Sequence, residues 1–124
     1  MKRRFILMAT LVVFGIACFG SSAAAQNRSG SYTNREGELV VRDKGKSQPL
    51  TFSFTVGNSR GTCTGEVEGK ANWIRPGVAE FRDESCKLMF VFTANRVRVT
   101  EGPDCGYHGV ACGFQGVYRR ARRR

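Results

Sequence analysis

The sequence predicts an all-β domain, a small eight-stranded antiparallel up-and-down barrel, with a β-sandwich as the alternative arrangement. Three observations carry this expectation. Apolar and polar residues alternate in short segments divided by turn signals, and no segment after residue 26 holds a helical period. The alternation agrees in register on both sides of two tight turns. The first and last segments share a Gly-x-Tyr pattern, Gly30-Ser31-Tyr32 and Gly116-Val117-Tyr118, and pairing them would remove both exposed edges of the sheet.

The eight strands are expected at about 29–35, 38–44, 50–57, 62–74, 78–83, 86–93, 96–101 and 113–119. The second turns Leu39 and Val41 inward, and the third turns Leu50, Phe52, Phe54 and Val56 inward. In the fourth, Cys63, Gly65, Val67, Gly69, Ala71 and Trp73 share one face, and only Ile74 breaks the polar face. Gly65 and Gly69 leave gaps where the strand can bend or another side chain can approach. Pro76-Gly77 suits the centre of a type II turn, which sets Trp73 opposite Ala79 and Ala71 opposite Phe81. A two-residue turn at Ala94-Asn95 sets Phe92 opposite Val97 and Phe90 opposite Val99. The inward residues are bulky, and a barrel of eight strands is just wide enough for side chains to fill. A full interior would exclude carriage of a lipid inside it.

The chain divides into a signal peptide at 1–25, a barrel domain at 26–118 and a basic C-terminal tail at 119–124. Lys2, Arg3 and Arg4 precede an apolar run at 5–19, and Ala23-Ala24-Ala25 supplies a small-residue cleavage site. The run is shorter than a membrane span, so the expectation is a bacterial, Sec-type signal, cleavage after Ala25 and a periplasmic or secreted product. Arg3-Arg4 invites a twin-arginine reading that the surrounding residues do not support. Cys18 invites a lipoprotein reading, but Gly15 stands where such a box carries leucine.

Losing Lys2, Arg3 and Arg4 lowers the formal charge of +10 to +7, and Arg119, Arg120, Arg122, Arg123 and Arg124 supply five of those charges. Basicity is thus expected to belong to the tail and not to the fold, and removing 119–124 to leave folding intact. These five arginines are the candidate anion-binding residues, for lipid headgroups, lipopolysaccharide phosphates or nucleic acid. Aromatic residues do not interleave with them, so no base-stacking surface is indicated.

Four cysteines remain after cleavage, an even number in an oxidising compartment. Up-and-down order gathers Cys63, Cys86, Cys105 and Cys112 at one barrel end. The hairpin register sets Cys86 opposite about position 103, which favours Cys86–Cys105 and leaves Cys63–Cys112. Three connectivities are formally open. The spacings lack the paired Cys-x-x-Cys of zinc modules, so neither a metal nor a cofactor is expected.

The loop at 102–113 holds the single histidine, and Asp104, Tyr107 and His108 are its candidate polar site. No nucleophile elbow, phosphate-binding loop or His-Glu-x-x-His motif occurs, and no enzyme is expected. The pattern Gly30-x-Tyr32, Gly65-x-x-x-Gly69, Cys86-Lys87-Leu88-x-Phe90, Cys105-Gly106 and Gly116-x-Tyr118 resembles small exported β-rich proteins of proteobacteria that carry no assigned activity. The resemblance implies compartment and fold only, and Cys63 and Cys112 stand outside it. Periplasmic lysozyme inhibitors are also small exported β-barrels with disulfides, but their characteristic motifs are not found here. A partner as basic as animal lysozyme would also be repelled by the charge of +7. The expected role is a non-enzymatic binding module for anionic envelope components or a protein partner. The alternative is an inhibitor of an extracellular or periplasmic hydrolase such as lysozyme, inserting loop 102–113.

Overall fold

The computed structural model describes residues 27–122, so the signal region, Arg123 and Arg124 lie outside the described residues. Eight strands follow one another: β1 (Gly30–Thr33), β2 (Gly37–Arg42), β3 (Leu50–Gly57), β4 (Thr64–Arg75), β5 (Val78–Arg82), β6 (Lys87–Thr93), β7 (Arg96–Glu101) and β8 (Gly116–Arg120). Each pairs antiparallel with the next, and β8 returns to β1 to close one barrel in place of two sheets. No helix among the described residues is long and apolar enough to cross a membrane.

The registers follow from the alternation. Trp73 faces Ala79, Phe92 faces Val97 and Phe90 faces Val99, as the turns between them require. Gly77 adopts φ 78° between β4 and β5, a conformation that favours glycine. Between Trp73 and Arg75 the register shifts, so Ile74 sits at a bulge with its side chain exposed. That bulge explains the apolar residue on the polar face.

The interior is full and apolar. Leu39, Leu50, Phe54, Leu88, Phe90, Val97 and Phe114 are completely buried, and no polar or charged residue among the described ones is. Phe52 packs on Phe81 and Phe90 with ring centroids 5.1 and 5.0 Å apart, and Phe54 packs on Tyr118 at 5.0 Å. Such pairs contribute about 0.5–1.5 kcal/mol each beyond the area they bury. A filled core leaves no place for a lipid inside the barrel.

The two ends differ. At the end where β2, β4, β6 and β8 begin, the loop between β7 and β8 folds across the opening. It is held by bridges between Cys86 and Cys105 and between Cys63 and Cys112, with Cα atoms 4.2 and 5.8 Å apart. Strand β8 starts at Gly116 and not at 113, because Phe114 turns inward as a plug against Phe54. Gly65 makes room for the loop: a side chain there would collide with His108, its partner in an isolated bridge.

The opposite end carries the entering and leaving chain. Arg119 and Arg120 are not in a tail: they are the last two residues of β8, paired with Thr33 and Tyr32 of β1. The boundary expected at 118 therefore moves outward. The strand expected at 113–119 already took in Arg119 but stopped short of Arg120, and the barrel seam depends on both positions.

Candidate functional site

The three loop residues proposed from sequence do not share one site. Asp104 is exposed at a left-handed turn position, φ 62°. The Tyr107 hydroxyl donates to Asp83. That bond, ahead of backbone donors Ser85 and Cys86, holds the Asp83 carboxyl below its ordinary value, and it pushes the Tyr107 hydroxyl up. His108 turns elsewhere, with Nε2 2.8 Å from Glu101 Oε1. The same carboxylate oxygen accepts the Phe114 N–H at 3.0 Å. Glu101 and Asp83 are the partners that sequence reading missed. Glu101 had a visible signal, for it follows Val97 and Val99 on the inward face of β7.

Both ring nitrogens of His108 face acceptors, Glu101 at Nε2 and the Gly109 carbonyl at Nδ1. An imidazole can donate from both nitrogens only when it is charged. Burial opposes that charge, but the Gly109 carbonyl and the Glu101 carboxylate outweigh it and raise the pKa above 6.5. A raised histidine pKa stabilises the fold fully below 6.5, and the contribution is lost as pH rises through the folded value. Wild type should therefore lose stability as pH rises from below 6.5 through the folded pKa of His108, measured by chemical denaturation, and His108→Gln should abolish that slope. A slope that survives in the variant would assign it to other groups.

Ligand atoms of Glu101, Cys105 and His108 lie within 4.8 Å of one another. Cys105 is bridged to Cys86, and a disulfide sulfur offers no thiolate to a metal. The oxidised protein presents only the His108–Glu101 pair there, already bonded to each other.

The basic end is different in kind. Up-and-down order brings residues far apart in sequence to this rim. Arg28, Lys44, Lys46 and Arg75 line a cavity of about 600 Å³ together with Trp73, Ile74 and Pro76. A second, wider recess of about 1080 Å³ lies on the other side of the entering chain, lined by Arg96, Arg119, Arg120 and Arg122. Asp43 is the single acidic residue on either wall. Basicity thus belongs to one end of the barrel and not to the tail alone.

The arginines of the expected anion site have separate roles. Arg120 Nη2 donates to the Tyr32 hydroxyl at 2.8 Å and the Asn27 carbonyl at 3.1 Å, and its guanidinium lies 5.3 Å from the Tyr32 ring centroid. That contact is structural, worth about 0.5–1 kcal/mol for the cation over the ring. Arg119 pairs directly across from Arg96, and both are exposed. Like charges opposite each other on neighbouring strands repel. Among the described residues no carboxylate lies within ion-pair distance of either, since the ion pairs there join Glu80 to Arg82 and Lys87, and Glu101 to His108. Arg122 is exposed just beyond β8.

No family model matches the chain, and neither the curated proteins nor the solved structures contain a match to it.

Proposed function

We propose that the protein is an exported, non-enzymatic binding module that docks its basic end on phosphate-bearing anionic components of the cell envelope. The observation that carries this reading is the uncompensated Arg96–Arg119 pair on a rim whose walls hold eight basic side chains and one acidic one. A repulsive pair without a carboxylate is relieved by an external anion. Each basic side chain near an anionic lipid surface contributes about 1 kcal/mol. Two disulfides fit an oxidising compartment, and the N-terminal pattern supplies the route, ending in a periplasmic or secreted chain that starts at residue 26. His108 offers no free nitrogen to a substrate, which supports a non-enzymatic role.

The test is cosedimentation with vesicles of phosphatidylcholine alone or with about a third phosphatidylglycerol. The protein should pellet with the anionic vesicles only. Arg96→Glu with Arg119→Glu should weaken binding at least about tenfold while leaving the melt unchanged. Equal binding to both vesicles, or no effect of the double variant, would refute the reading.

A second reading, inhibition of a hydrolase, is favoured by one feature at the other end. Val110 stands fully exposed at the tip of the disulfide-tied loop, an apolar side chain on a pre-organised support. Replacing Val110 with Asp would abolish inhibition while leaving vesicle binding untouched.

A further inference from the structure

We propose that the cavity walled by Trp73 and Ile74 is a binding site for a single-chain amphipathic anion, its apolar chain on those two residues and its phosphate or carboxylate head on Lys44 and Lys46. This deepens the envelope-binding reading and rests on it. The volume, about 600 Å³, lies within the range of small-molecule sites, roughly 300–1,000 Å³. Two chemistries meet in it. One wall is apolar: Trp73 is half-buried, and Ile74 is lifted into the cavity wall by the bulge between Trp73 and Arg75. The other is cationic, with Arg28, Lys44, Lys46 and Arg75, and none of these four meets a carboxylate at ion-pair distance among the described residues.

The one acid on the wall offsets at most one of these four cations. Asp43 Oδ1 accepts the Gly45 N–H at 2.9 Å and Oδ2 the Arg28 N–H at 3.4 Å. Those bonds shape the 43–46 turn that presents Lys44 and Lys46, both exposed. Arg28 is placed differently, with its guanidinium 5.4 Å from the Phe92 ring centroid, where it floors the cavity. A purely apolar ligand would leave the four cations unanswered, and a bare anion would leave Trp73 and Ile74 uncovered. Only an amphiphile satisfies both walls.

Trp73 is the single tryptophan of the chain, so its fluorescence reports this site directly. The oxidised protein is titrated with dodecyl phosphate below its micellar concentration. The expected result is a saturable blue shift, weakened at least about tenfold by Lys44→Glu with Lys46→Glu. Ile74→Asp, at an exposed position, should weaken it comparably with the melt unchanged. Inorganic phosphate and dodecyl maltoside, each carrying half of the chemistry, should bind at least about tenfold more weakly than dodecyl phosphate. Dodecanoate is the second arm: binding equal to dodecyl phosphate identifies a fatty acid as a competent source, and weaker binding restricts the site to phosphate amphiphiles. No saturable shift, or equal binding of dodecyl maltoside, would overturn the proposal. The outcome is separable from vesicle docking, because Arg96→Glu with Arg119→Glu leaves this cavity intact. Docking without a Trp73 response refutes the amphiphile site alone.

Discussion

A chain that stops at Tyr118 is expected to lose about 3 kcal/mol of stability and to melt more than about 10 °C lower, whereas one that stops at Ala121 melts like the full-length protein. The difference is three residues. Both ladder pairs that join β8 to β1 involve Arg119 and Arg120. With them go the Arg120 N–H bond to Asn95 at 2.7 Å, the Ala121 N–H bond to Ser31 at 2.8 Å, and the guanidinium contacts to Tyr32 and Asn27. A net 0.5–1.5 kcal/mol for each such bond gives the estimate, and the opened edges of β1 and β8 add to it. The arginines at 122–124 should matter to anion binding and not to this melt. Calorimetry on the oxidised proteins checks both truncations. A Tyr118-terminated chain with an unchanged melting temperature would show that the barrel closes without its seam.

Removing both disulfides should have the larger effect. The Cys63–Cys112 bridge spans 49 residues and the Cys86–Cys105 bridge 19. Loop-closure entropy assigns them about 4 and about 3 kcal/mol as upper values. A domain of this length is expected to hold about 5–14 kcal/mol in all. The reduced protein should therefore be marginal, melting at least about 20 °C below the oxidised one. The losses should be unequal. Cys63→Ser with Cys112→Ser should cost more than Cys86→Ser with Cys105→Ser, because the shorter bridge closes a connection that β6–β7 pairing already restrains. Intact mass should rise by about four hydrogens on reduction. If reduction lowers the melt by only a few degrees, then Phe114 and the Glu101 contacts hold the loop, and the bridges merely fasten it.

Much of the architecture is legible in the sequence because β-alternation is unforgiving. A slip of one residue would have turned Phe90 and Phe92 outward, so the Ala94-Asn95 turn could have only one register. The same reasoning places Cys86 beside Cys105. Three features escaped it. Phe114 lies among glycines and a glutamine, where alternation gives no warning that the chain dips into the barrel mouth. Arg119 fell in both the expected strand and the expected tail, and Arg120 in the tail alone, because a run of arginines has no apolar face to mark where the strand ends. The basic rim is dispersed over positions 28, 44, 46, 75, 96, 119, 120 and 122, and only the closed topology assembles it. Composition reported the charge, but its geography required the barrel.

The seam has a consequence for how the molecule comes into being. Tyr32 and Arg120 are 88 residues apart, so the contact that seals the barrel joins the first strand to the last. Seven strands can zip as successive local hairpins, each closing a short loop on the microsecond scale. The eighth must find a partner made long before, at the slowest step the topology contains. A chain that emerges N-terminus first therefore keeps β1 as an open edge until its final residues are free. For that interval the unfinished barrel is a template for another chain's strand, and two arginines at the closing position give such intermediates a shared charge that keeps them apart.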